Sequence, residues 1–87
     1  MTTVESIKIE LTEAAEECRE AAALANAAVE IVERALGRLA AVSDGTSHPA
    51  MQRTVGSVQQ SIERLRQGAQ LAGESADAAR EYSTVLG

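Results

Sequence analysis

The sequence predicts an all-α protein: an antiparallel two-helix hairpin, with helices over about residues 3–42 and 49–86, that dimerises into a four-helix bundle. Three observations carry this reading. Apolar residues recur at alternating spacings of four and three through both halves of the chain, the period of a helix that packs along one seam. One cluster of turn residues, Ser43-Asp44-Gly45-Thr46-Ser47-His48-Pro49, stands near the midpoint. Hydrophobic residues make up 45% of the chain but aromatic ones only 1%, so alanine and aliphatic side chains must build a thin helical core. At 87 residues the chain forms one domain, 1–87, near the size at which a single core is hard to sustain without association.

The first helix is predicted to start near residue 3, where Thr2-Thr3-Val4-Glu5 offers a hydroxyl and, three positions later, a carboxylate to the exposed backbone N–H groups. Its seam reads Ile7, Leu11, Ala14, Cys18, Ala21, Ala25, Ala28, Val32, Ala35, Leu39 and Val42, a continuous helix of roughly 40 residues and about 60 Å. In the turn, Gly45 is expected to take the left-handed conformation that closes a helix C-terminus, and Pro49 to stand in the first turn of the next helix. The second helix keeps the rhythm through Met51, Val55, Val58, Ile62, Leu65, Ala69, Ala72, Ala76, Ala79, Ser83 and Leu86. A short turn makes the two helices antiparallel. Small residues then face each other in the middle, Ala21 and Ala25 near Gly68, Ala69 and Ala72, and Ala14 near Ala76 and Ala79. Gly56, Gly68 and Gly73 each cost about 1 kcal/mol in a helix interior, and close helix contact is the expected reason for Gly68 and Gly73.

The apolar stripe of the first helix is wider than one partner helix covers. Ala15, Ala22, Val29 and Leu36 flank the seam on one side, Leu24 and Ile31 on the other, and the second helix adds Leu71, Ala78 and Val85 on a line of their own. Contiguous exposed apolar surface marks an interface. The predicted interface residues are Leu24, Val29, Ile31, Leu36, Leu71 and Tyr82, the last being the sole aromatic, beside the seam with a hydroxyl that reaches water.

Charge is divided along the rod. Residues 1–33 hold eight acidic and two basic side chains, residues 34–66 two acidic and five basic, and residues 67–87 three acidic and one basic, for a net charge of -5. The turn half is therefore positive and the free-ends half negative, which favours a neighbour running in the opposite sense. Arg34, Arg38 or Arg64 of one copy would approach the Glu13–Glu20 face of the other. The acidic balance argues against nucleic acid as a partner.

No constellation for catalysis is found. His48 has only Asp44 beside it, Cys18 stands on the seam as a small hydrophobe, and Glu10, Glu13, Glu16, Glu17 and Glu20 form a solvated face without the Glu-x-x-His partners of di-iron bundles. The expectation is no catalytic, cofactor-binding or metal-binding residue, and no enzyme. A single cysteine argues for a reducing compartment. The N-terminus has neither the basic start nor the apolar run of a secretory signal, and no stretch reaches the ~20 apolar residues of a membrane span. Cytoplasmic residence is expected, with signal-less secretion as the alternative.

Two long helices around a central turn, with the segment IERLRQGAQLAGESADAAREY from Ile62 to Tyr82 as the second, resemble the small helical-hairpin substrates of type VII (ESX) secretion. The turn reads SDGTSHP where that family has Trp-x-Gly, and Leu86 stands four after Tyr82 where it has an acidic residue. The composition, rich in alanine and using arginine, is also similar to that of short helical proteins of high-GC actinobacteria. The sequence thus leads to a non-enzymatic helical interaction or assembly module whose partner is itself, as an antiparallel homodimer, or a similar hairpin. The resemblance implies the alternative, an exported hairpin acting as a secreted partner or effector.

Overall fold

The computed structural model describes residues 3–87, and two helices account for nearly all of them: α1, Val4–Ser43, and α2, Pro49–Val85. They lie side by side in a rod of 64 × 19 × 16 Å, as a 40-residue helix at 1.5 Å per residue requires. No strand occurs among the described residues. The predicted antiparallel hairpin is the observed fold.

Each helix starts on a side-chain cap. At α1 the cap is Thr3, in an extended conformation, whose hydroxyl accepts from the Ser6 backbone N–H at 3.1 Å while the Ser6 hydroxyl accepts from the Thr3 N–H at 2.9 Å. This reciprocal pair satisfies two donors that the first turn leaves open. The box thus runs from Thr3 to Ser6; Thr2, which the sequence reading paired with Glu5, lies outside the described residues. At α2 the cap is His48. Pro49 drives the residue before it out of the helical region, and His48 accordingly sits at φ -63°, ψ 128°, with its Nδ1 accepting from the Ala50 N–H at 3.0 Å.

Between the helices the chain turns without left-handed backbone. Asp44 stays right-handed, and the last carbonyls of α1 are taken up by short-range bonds, Gly45 N–H to Val42 O and Thr46 N–H to Ser43 O, both 3.1 Å. Among the described residues only Gly87 has a positive φ. The left-handed role expected of Gly45 is therefore not used, because the three-residue bonds close the helix instead.

Among the described residues five side chains are buried: Ala15 and Val29 on α1, and Ile62, Ala69 and Ala76 on α2. Ala15 and Ala76 are equidistant from the turn along the chain, and so are Val29 and Ile62, which an antiparallel pair brings level. On α2 the predicted seam is the observed one: Met51, Val55, Val58, Ile62, Leu65, Ala69, Ala72, Ala76, Ala79, Ser83 and Leu86 are all buried or half-buried. On α1 the predicted seam holds in part. Ile7, Leu11, Cys18, Ala25, Ala28, Val32 and Leu39 are half-buried as expected, but Ala14, Ala21, Ala35 and Val42 are exposed, and the line Ala15, Ala22, Val29, Leu36 and Ser43 is buried or half-buried instead. The reason is size. Fully burying a valine or leucine gains about 1.5–3 kcal/mol over leaving it exposed, whereas an alanine offers little more than one methyl. Turning α1 by part of a residue brings Val29 and Leu36 against α2 and exposes Ala35 and Val42, while Ile7 and Ala28 stay half-buried.

Candidate interaction surface

The seam divides the rod into two broad faces. The residue that follows each of Leu11, Cys18, Ala25, Val32 and Leu39 on α1 falls on one face, together with the residue that follows Met51, Val58, Leu65, Ala72 and Ala79 on α2, because flanking positions of the same kind meet across an antiparallel pair. This face is ionic. Arg66 of α2 pairs with Glu33 of α1 at 3.4 Å, and Arg19 pairs with Asp77 at 3.2 Å. An open groove of about 400 Å³ beside the turn is lined by Glu33, Leu36, Gly37, Ala40, Gln59, Ile62, Glu63 and Arg66. A second, of about 230 Å³ near the free ends, is lined by Leu11, Thr12, Arg80, Ser83 and Thr84. Exposed ion pairs of this kind contribute about 0–1 kcal/mol each.

The opposite face carries the residues that precede the core. On α1 these are Ala14, Ala21, Ala28, Ala35 and Val42; on α2 they are Thr54, Ser61, Gly68, Ser75 and Tyr82. Outward of these two rows stand Leu24 and Ile31 on α1, and Leu71, Ala78 and Val85 on α2. Leu24, Ile31, Leu71 and Tyr82 are 54–64% exposed. Four of the six expected interface residues therefore share one broad face of small and apolar side chains. The remaining two lie elsewhere: Val29 is 6% exposed and Leu36 half-buried, and both spend their apolar surface inside the hairpin against α2.

Gly68 lies on this small-residue face and is exposed, and a Cβ built on it would meet nothing within 4 Å. A Cβ built on Gly56, or on the half-buried Gly73 of the ionic face, would likewise meet nothing within 4 Å. The close helix contact expected at Gly68 and Gly73 is not made; it is the alanines Ala15, Ala69 and Ala76 that are buried in the seam.

His48 is engaged in capping α2, and Cys18 is a half-buried seam residue with a free thiol. Among the described residues no group of three or more His, Cys, Asp or Glu side chains is placed to hold a metal ion, and no helix is long and apolar enough to cross a membrane. The capping role of His48 was missed from sequence; its signal was its position immediately before a proline that opens a helix. No protein family, curated protein or solved structure matches this chain.

Proposed function

We propose that this protein is a non-enzymatic helical assembly module that associates with itself through its small-residue face, completing a four-helix bundle. The observation that carries the reading is the segregation of the two broad faces: Leu24, Ile31, Leu71 and Tyr82 gather on one, while both cross-helix ion pairs lie on the other. Scattered apolar residues on a surface are ordinary, but a one-sided array flanked by alanine, serine and glycine marks an interface at which helices can approach closely. A core of five buried side chains among the described residues, three of them alanine, also leaves the isolated hairpin little stabilisation of its own, and association supplies more.

Sedimentation equilibrium at tens of micromolar tests this. The wild-type chain is expected to run as a dimer, and Leu24→Glu with Ile31→Glu as a monomer of unchanged helicity by circular dichroism. A monomeric wild type would overturn the reading.

A further inference from the structure

The outward edge of the small-residue face on α1 has an order that reads the same chemically from both ends. Ala21, Leu24, Ala28, Ile31 and Ala35 follow one another at spacings of three and four, with Glu17 four residues before them and Arg38 three residues after. Reversed, the row is again a charge, alanine, a large aliphatic, alanine, a large aliphatic, alanine and the opposite charge. Alternating spacings of three and four also survive reversal, which is the condition for two helices to share a seam while running in opposite directions. Every residue of the row is exposed except Ala28, which is half-buried. Neither Glu17 nor Arg38 has an ion-pair partner within the described residues.

Resting on the assembly reading above, we infer that a second copy of this chain docks on this row, α1 against α1 in antiparallel, about a two-fold axis at Ala28. In that register Leu24 of each copy meets Ile31 of the other, Ala21 meets Ala35, and Glu17 meets Arg38 at both ends of the contact. The parallel alternative stacks turn on turn. It sets like charges together, since Glu10 and Glu17 of α1 are as far from the turn as Glu81 and Glu74 of α2. The same two-fold brings Arg64 of α2 level with its own counterpart, so α2 offers no matching row and forms the outer pair of the bundle. Closed two-fold symmetry lets one surface satisfy both copies, and every complementary contact occurs twice.

The test uses the full chain in a Cys18→Ala background. Ala28→Cys is expected to give a disulfide-linked dimer under mild oxidation, and Ala23→Cys, on the far side of α1, is not. In sedimentation, Glu17→Arg and Arg38→Glu are each expected to raise the dimer Kd about tenfold, since each breaks two symmetry-related pairs and creates like-charge contacts. The double variant should return to within about threefold of wild type. Both substituted residues are exposed, and unchanged helicity of each variant confirms that folding is intact. A dimer that neither cross-links at residue 28 nor is restored by the double exchange would overturn this register and leave the assembly reading standing. A monomeric wild type would overturn both.

Discussion

The two helices of this hairpin differ in how many ways each can face the other. Beside a short second line of Leu71, Ala78 and Val85 near its C-terminus, α2 has one full-length apolar line, from Met51 to Leu86, whose other neighbours are mostly serine, glutamine, glycine and charged residues. Only one rotation of α2 buries it. α1 is apolar around much of its circumference, and two lines compete: Ile7, Ala14, Ala21, Ala28, Ala35 and Val42 against Lys8, Ala15, Ala22, Val29, Leu36 and Ser43. The second line wins because it brings in Val29 and Leu36 while only Val42 among the large residues of the first is given up, Ile7 staying half-buried. The difference teaches that where apolar positions outnumber those a partner can cover, side-chain volume sets the rotation. Ala14, Ala21, Ala35 and Val42 of the displaced line become surface, which is why α1 has a free stripe and the turn half of α2 does not.

The sharpest way to break this comparison is to empty the core on the unambiguous helix. Ile62→Ala should cost about 2–5 kcal/mol, as for other buried isoleucines, measured by urea denaturation followed by circular dichroism. A loss below 1 kcal/mol would mean that the seam of α2 is not where its side chains place it. Next comes overpacking on the ambiguous helix. Ala15 is 0% exposed, so Ala15→Leu should cost about 1–3 kcal/mol, whereas Ala14→Leu should fall within about 0.5 kcal/mol of wild type. Equal effects at the two positions would erase the distinction between the lines.

Two smaller effects sharpen the picture. Gly68→Ala should stabilise α2 by up to about 1 kcal/mol, because a Cβ there meets open space and alanine is the better helix former; a destabilised variant would show a close approach at Gly68. Arg19→Ala removes an ion pair whose side chains are 47% and 71% exposed, and the expected loss is about 0.2–1 kcal/mol, diminishing further in high salt.

Much of this fold was legible in the sequence because its signals were local and redundant. Pro49, the turn cluster and the full-length line of α2 each admit one structural answer. The rotation of α1 was not legible from apolar spacing, since both lines satisfy the same period; weighing Val29 and Leu36 against Ala28 and Ala35 would have found it. That one rotation also decided the candidate surface, retaining Leu24 and Ile31 outside and drawing Val29 and Leu36 in. At the turn, glycine permits a left-handed residue without requiring one, and short-range bonds removed the need. Gly68 and Gly73 were read as contacts because they fall opposite alanines of α1, but Gly68 stands one position before Ala69 and Gly73 one position after Ala72, each just off the seam.

Thiol accessibility at adjacent positions of α1 tests the rotation most directly. In a Cys18→Ala background that also carries Leu24→Glu and Ile31→Glu to keep the hairpin monomeric, single cysteines at Ala14 and Ala15 differ only in the face they occupy. Labelling under native conditions should be fast at position 14 and at least about a hundredfold slower at position 15, where the hairpin must open before reagent can enter. Equal rates, or protection at position 14 alone, would contradict the account and restore the alanine line to the seam.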